Sequence, residues 1–357
     1  LEQNQKKSGP FDWPVAFTVD DINLVPQIGK LKSRQQAKLH PFLYSAPMDM
    51  VTGYDLTEAL IDAGHNAVVS RRLPVEEWNA CVRDFAVAEN CERVFFAVGI
   101  QDDYTEFFAN LETQLKDYDG WMINLALDVA HGDSGAAYKA LSTLRELPQV
   151  NYLMSGSVCT PEAAYRQTTW ATHIRIGVGP GAACSTRLMT GFGVPQAYAV
   201  ASIHKRLCTS GLRKKITIIA DGGIKNPGDC VKYLALGADA CMLGSVFSKA
   251  REAPGWQLRT DGKLVKHYRG QASAEFQKDI LGYESACPEG VQLPLMTWHG
   301  DTVESIVKYF EGGMRSGVSY AGLTSSSQLP TSDLSFVFTT SAGQREAYPH
   351  GLLGAMK

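Results

Sequence analysis

Ile216-Thr217-Ile218-Ile219-Ala220-Asp221-Gly222-Gly223 is a short apolar run that stops at a glycine turn, and Ala240-Cys241-Met242-Leu243-Gly244-Ser245 repeats the pattern one helix later. Between them the spacing of Pro227 to Leu236 predicts a helix, opened by a proline whose missing N–H costs nothing in a first turn. A run that is apolar at nearly every position suits a parallel strand covered on both faces; one wet face would make it alternate. Working outward, six more such runs occur: Phe42 to Pro47, Asn66 to Ser70, Val94 to Val98, Met122 to Leu127, Tyr152 to Ser155 and His173 to Ile176. Helical spacing separates them at Tyr54 to Ala63, Pro74 to Phe85, Tyr104 to Leu115, Gly135 to Leu147, Pro161 to Gln167 and Pro195 to Arg206. Eight strand–helix alternations predict an α/β fold of the (β/α)8 TIM-barrel type, with its site at the C-terminal ends of the strands.

The eighth helix is displaced. An insertion of about Val246 to Gly300 precedes the helical run Thr302 to Glu311. Within it, Asp261-Gly262 between Gln257-Leu258-Arg259 and Lys263-Leu264-Val265 signals a hairpin. Gly270 to Gly290 is polar and lacks a strand pattern, as a lid on the catalytic face would. The tail, about 324–357, is rich in Ser and Thr and reads as an arm or partner contact. The chain, 1–357, is expected to form a single barrel domain.

Composition narrows the function classes. Apolar residues make up 45% and charged residues 20% of the 357, so a large core is available and global disorder is excluded. With 34 basic against 37 acidic residues and no basic stripe, nucleic acid is not an expected partner, whereas small phosphorylated ligands fit. No apolar run approaches the roughly 18 residues of a membrane span, and the first residues lack the apolar core of a signal peptide, so a cytoplasmic protein is expected. The eight cysteines form no C-x-x-C pair, and those at 81, 91, 159, 230 and 241 lie in or beside apolar segments as buried reduced thiols would.

The chemistry collects after the last three strands. Gly177-Val178-Gly179-Pro180-Gly181-Ala182-Ala183-Cys184-Ser185-Thr186-Arg187 follows the sixth. Its glycines let successive amides and carbonyls converge, and a thiol at the end of such a loop is exposed among backbone dipoles. The same composition also suits an ordinary βα turn with an inert cysteine. Asp221-Gly222-Gly223 and Gly244-Ser245 end the seventh and eighth strands, where barrels commonly hold a phosphate. Asp221 there suits ribose hydroxyls, or the plainer task of capping a turn.

Together these residues resemble the IMP dehydrogenase/GMP reductase family. Its markers stand here as Ser45-Ala46-Pro47-Met48-Asp49, Asp128-Val129-Ala130-His131-Gly132, Ser155-Gly156-Ser157-Val158-Cys159-Thr160, the Cys184 loop ending Gly193-Val194-Pro195-Gln196, Asp221-Gly222-Gly223-Ile224, Met242-Leu243-Gly244-Ser245, Tyr268-Arg269-Gly270 and Pro288-Glu289-Gly290. The resemblance runs from about residue 17 to 323. It implies a purine nucleotide monophosphate substrate, a nicotinamide cofactor and a homotetramer. The regulatory CBS domain pair of many dehydrogenases would fall between the second and third strands, where this chain is too short to hold it.

Carried over, Cys184 matches the nucleophile that forms a covalent thioimidate at purine C2, and Thr186 and Glu289 match a pair that moves the proton of the departing amino group. Asp221, Gly222, Gly223, Gly244, Ser245 and Tyr268 match ribose and phosphate contacts. The backbone at Gly270, Gln271 and Ser273 matches the reader of the purine edge. Asp128 and Ala130 match the cofactor side, as does Arg71, whose guanidinium suits a 2′-phosphate. Carbonyls of Gly179, Gly181 and Cys184 match a potassium site found in many members.

The lid separates the two branches. In dehydrogenases of this family an Arg-Tyr pair on a long flap activates water. Here 20 residues separate Tyr268 from Glu289, no arginine lies between Arg269 and Arg315, and Gly282 precedes Tyr283. That implies NADPH-dependent reductive deamination of GMP to IMP and ammonia, with NADH or NAD as the other cofactor choice. Ala182, Ser157 and Ser70 replace a usual serine, asparagine and histidine, while the blocks at 45–49, 268–270 and 288–290 look more like a dehydrogenase. The alternatives are therefore an IMP dehydrogenase oxidising IMP to XMP, a related activity on another purine nucleotide, or a non-catalytic purine-nucleotide-binding protein.

Overall fold

The computed structural model describes residues 13–86, 91–255, 257–260, 263–283, 285–297 and 301–347. All eight expected strands form: β1 (Leu43–Ser45), β2 (Ala67–Val69), β3 (Val94–Val98), β4 (Ile123–Leu127), β5 (Val150–Val158), β6 (His173–Ile176), β7 (Thr217–Asp221) and β8 (Ala240–Leu243). They make one parallel sheet in which β8 returns to pair with β1. The remaining joint, between β1 and β2, is closed by Asn66. Its N–H donates to Leu43 O at 3.0 Å, its carbonyl accepts from Ser45 N at 3.2 Å, and its side-chain amide donates to Leu43 O at 3.1 Å. The result is the barrel that the strand count predicts.

Alternate residues of seven of the strands explain why the barrel is filled. Tyr44, Val68, Phe95, Ala97, Ala126, Met154, Ile219 and Met242 form one buried cluster inside it. Their strand neighbours Leu43, Val69, Phe96, Leu125, Ile174 and Ile218 turn outward onto the helices. Those helices are α1 (Tyr54–Asp62), α2 (Val75–Phe85), α3 (Tyr104–Gln114), α4 (Gly135–Glu146), α5 (Pro161–Gln167), α6 (Gln196–Thr209), α7 (Pro227–Ala235) and α8 (Val303–Tyr320). Thr160 and Asn226 cap α5 and α7, each with proline in the first turn.

α8 runs nine residues past the expected end at Glu311. Gly312-Gly313 does not stop it, because the glycine serves packing: a Cβ on Gly313 would lie 2.2 Å from Pro227 and one on Gly317 2.5 Å from Val231. Only bare backbone lets α8 approach α7 this closely.

The insertion contains an antiparallel sheet of Gln257–Thr260, Lys263–Arg269 and Gln292–Thr297. The Asp261-Gly262 turn itself lies outside the described residues. Ala274–Phe276 and a π-helical turn, Gln277–Leu281, fill the span between the last two strands, ending at Gly282 with φ 73°. The described part of the tail folds back on its own chain: Phe336–Phe338 pairs antiparallel with Ile22–Leu24. Cys81, Cys230 and Cys241 are buried as expected; Cys159 is only half-buried, since it follows β5 at the barrel rim. The side chain of Cys91 lies outside the description. Among the described residues no helix is long and apolar enough to cross a membrane.

His65, 2% exposed, meets the Phe42 ring edge-on at 5.2 Å, and burial drives its pKa down to about 4 although Glu311 stands 3.6 Å away. Burial lowers His173 to about 4 as well. The folded state thus takes up fewer protons than the unfolded chain, so stability is whole above about pH 6.5 and falls as pH drops toward 4, by roughly 3 kcal/mol for His65. Urea unfolding between pH 7 and 4 should show this fall, and His65→Leu should make the slope shallower; an unchanged slope in the variant would refute the assignment.

Candidate functional site

The C-terminal ends of the strands open into a cavity of about 620 Å³, whose lining includes Arg71, Asp128, Ala130, Gly179, Gly181, Cys184, Thr186, Asp221, Gly222 and Gln271. Sequence-predicted residues from β2, β4, β6 and β7 and from the lid thus meet in one place.

The loop after β6 turns on glycine. Gly179 has φ 81°, and a Cβ there would lie 2.6 Å from Arg187. The Arg187 guanidinium stitches the loop from behind, donating to Val178 O at 2.8 Å and Val194 O at 2.5 Å. Cys184 N donates to Gly181 O at 3.0 Å, which leaves the side chain exposed at the cleft. The thiol donates to Thr186 Oγ1 at 3.2 Å. Ala182 is exposed at the loop tip, with no hydroxyl to offer.

The end of the lid is zipped to this loop through backbone. Val291 N donates to Ala183 O at 3.0 Å and Ser185 N to Glu289 O at 2.9 Å, so Cys184 stands opposite Gly290. Gly270 N donates to Val291 O at 3.1 Å, and Ser273 bridges Gly290 from the other side. Glu289 is held half-buried beside the thiol loop; among the described residues no hydrogen bond joins its carboxylate to Thr186.

Charged groups fix the lid's root. Arg269 donates to Asp49 Oδ2 at 2.7 and 3.0 Å and to Asp279 Oδ2 at 2.6 Å. Gln271 Nε2 donates to Pro47 O at 2.6 Å, and the residue lines the cavity. Lys266, 1% exposed, donates to Ala250 O and Ala253 O, both at 2.6 Å, and burial lowers its pKa to about 8.

Asp221 ends β7, and its carboxyl is lifted above the usual range by burial against the opposing pull of Arg175. Gly222 and Gly223, at φ 87° and 73°, pack on Pro180. A Cβ on Gly244 would sit 2.7 Å from the Tyr268 hydroxyl, which places that buried ring over the Gly244-Ser245 turn. Gly223, Gly244, Ser245, Tyr268, Gly270, Ser273 and Glu289 stand outside the cavity lining, behind or beside it.

A line of charge crosses the cavity floor. Arg175 Nη1 lies 3.4 Å from Asp128 Oδ1, its Nε 3.2 Å from Asp221 Oδ2, and its Nη2 donates to Ser157 Oγ at 3.2 Å. Arg71 Nε lies 3.6 Å from Asp128 Oδ2 and its Nη1 3.5 Å from Asp102 Oδ1. Arg71 thus lines the cavity with two carboxylates, Asp102 and Asp128, facing its guanidinium. Arg175 and Asp102 escaped the sequence reading. The available signal was an arginine inside a strand otherwise fit for burial, since an arginine there requires partners.

The family model of the IMP dehydrogenase / GMP reductase domain matches residues 16–350. The GMP reductase of Lactobacillus johnsonii is 33% identical over 322 residues, 86% of this chain and 90% of that protein. The GMP reductase of Bacillus subtilis is 32% identical over 322 residues, 86% of this chain and 92% of that protein. The inosine-5′-monophosphate dehydrogenase of Chlorobaculum tepidum is 34% identical over 245 residues, 64% of this chain and 48% of that protein.

A Cβ on Gly270 would lie 2.7 Å from Ala183 O, so the zip needs glycine there. Gly270→Ala is expected to destabilise the protein by about 1–3 kcal/mol and to speed alkylation of Cys184 as the thiol loop loosens. Thermal unfolding and iodoacetamide labelling check this; no change in either would show that the close approach is unimportant.

Proposed function

The chain belongs to the IMP dehydrogenase / GMP reductase family, and from that premise we propose that it is a GMP reductase, converting GMP to IMP and ammonia with NADPH as reductant. The observation that carries the choice of branch is the lid: it reaches Glu289 with no arginine after Arg269, and Arg269 is already held between Asp49 and Asp279. Neither a free guanidinium nor an Arg-Tyr pair is available there to activate water against a covalent intermediate.

In this reading the Cys184 sulfur adds to purine C2, and its proton passes by way of the Thr186 hydroxyl, 3.2 Å away, and the Glu289 carboxylate to the departing amino group, which leaves as ammonia. The nicotinamide, when bound, supplies the hydride that C2 accepts as the carbon–sulfur bond breaks and the thiolate is released. Asp221 takes ribose hydroxyls; Gly222, Gly223, Gly244, Ser245 and Tyr268 hold the phosphate; backbone at Gly270, Gln271 and Ser273 reads the purine edge. Asp128, Ala130 and Arg71 face the cofactor. Fit to a hydroxyl-bearing cofactor is supported by two buried cleft atoms, Asp128 Oδ2 and Arg71 Nε, that lack hydrogen-bond partners. The carbonyls of Gly179, Gly181 and Cys184 are proposed as potassium ligands, which suits a weakly hydrated ion. We further propose one barrel domain without the regulatory pair, and a homotetramer, for which exposed Leu188 and Phe192 beside the thiol loop offer apolar surface.

The dehydrogenase-like blocks at 45–49, 268–270 and 288–290 favour one second reading, IMP dehydrogenase. Purified protein with GMP and NADPH should lose reduced-nicotinamide absorbance and form IMP. Cys184→Ala should abolish turnover, and Thr186→Ala and Glu289→Gln should lower kcat by about 10²–10⁴. NADH formation from IMP and NAD⁺ instead would replace the reductase by the dehydrogenase, and binding of GMP with neither reaction would leave only a binding protein.

A further inference from the structure

Arg175 has no task in the chemistry above, yet it is the most enclosed charge in the cleft, 5% exposed. Its guanidinium spans two carboxylates on different strands: Asp128 at the end of β4, 3.4 Å away, and Asp221 at the end of β7, 3.2 Å away. Ser157 Oγ on β5 accepts from Nη2 at 3.2 Å and fixes the plane of the fork. Along this line Arg175 Nε, Asp128 Oδ2 and Arg71 Nε are buried without a hydrogen bond of good geometry. Buried charges with incomplete hydrogen bonding are costly, so these atoms suit a floor that ligands complete. Ribose hydroxyls are matched to the task, since each can donate to a carboxylate and accept from a guanidinium.

We infer that Arg175 is a positioning residue that couples the two riboside subsites, so that the purine nucleotide on Asp221 and the nicotinamide nucleotide on Asp128 each raise the affinity for the other. The inference rests on the reading of the cleft as a purine-nucleotide oxidoreductase site. A ligand that orders Asp221 also sets the Arg175 fork, and through it Asp128, so the second ligand meets a carboxylate already in place. By linkage the effect is reciprocal. A planar fork is required: the point charge of a lysine can face one carboxylate closely, not both from fixed directions.

Calorimetry with GMP and NADP⁺, a pair that lacks a hydride to transfer, tests this without turnover. In the wild type, GMP should bind about tenfold tighter at saturating NADP⁺, and NADP⁺ tighter by the same factor at saturating GMP. Arg175→Lys retains the charge between the carboxylates and should fold, with each ligand alone weakened by up to about tenfold and, separately, the coupling reduced to about twofold. Ser157→Ala, which removes only one hydrogen bond, should reduce the coupling in the same direction by about threefold. Wild-type binding without coupling overturns the inference, as do variants that weaken both ligands while the ratio stays at its wild-type value. Failure of the wild type to bind GMP or IMP at all is a different result: it removes the oxidoreductase reading and this inference with it.

Discussion

Two backbone hydrogen bonds, Val291 N to Ala183 O and Ser185 N to Glu289 O, set the geometry on which the rest of the site depends. They flank Cys184 on both sides, so the thiol loop and the returning lid move as one piece. At the centre of this contact Ser273 and Ala183 both crowd the returning backbone, so a residue without a side chain is needed there. Gly290 meets that need directly, with a Cβ position 3.0 Å from Ser273 N and 3.2 Å from Ala183 O. The lid is therefore held at its far end by the zip and at its near end by Arg269 and Lys266, leaving only the stretch between them able to adjust to a ligand.

Electrostatics and packing divide the barrel along its axis. Toward one end, Tyr44, Phe95, Tyr152 and His173 contact one another ring to ring, at centroid distances of 5.0 to 6.0 Å, and fill the interior with apolar and neutral groups. Burial keeps His173 uncharged there. At the mouth, β4, β6 and β7 bring Asp128, Arg175 and Asp221 together, with Arg71 and Asp102 at the margin. Opposite charges alternate along this line, so each buried ion has a counter-ion, and removing any one would leave its neighbours in low dielectric without compensation. Such a floor is stiff in charge yet incomplete in hydrogen bonds, a combination that favours polar neutral ligand groups over additional ions.

The strands were legible in the sequence because parallel strands buried on both faces announce themselves as short continuous apolar runs, and each of the eight was found at its expected place. The turns after the sixth and seventh strands were legible as turns, since Gly179, Gly222 and Gly223 take the positive φ that glycine favours. What escaped was decided by contacts between distant segments. Gly312-Gly313 reads locally as the end of a helix, but Pro227, far along the chain, turns it into a packing surface. Arg71 follows β2, and only the folded chain brings Asp102 and Asp128 up to it. Arg175 sits inside a strand, and only the closed barrel shows that the carboxylates of two other strands converge on it. The tail reads as an arm or partner contact because nothing in its Ser- and Thr-rich composition points to Ile22–Leu24, the segment that it pairs with.

The allocation of arginines also bears on the reading of the reaction. A covalent purine–sulfur intermediate can be released by water, which needs a base on the lid, or by hydride, which needs only an approach on the open face and an acid for the departing group. Arg269 is the last arginine before Arg315, and its guanidinium is divided between Asp49 and Asp279 with a face toward the Phe276 ring at 5.4 Å. Withdrawing it to serve as a base would unpair Asp49, whose other oxygen is already buried without a hydrogen bond. The anchor that keeps the lid on the thiol loop thus occupies the group that hydrolysis would require. Tyr283 lies exposed at the cleft directly after Gly282. This supports the hydride route, because a lid built this way can enclose the site and carry Glu289 to it with no arginine left over to act as a base.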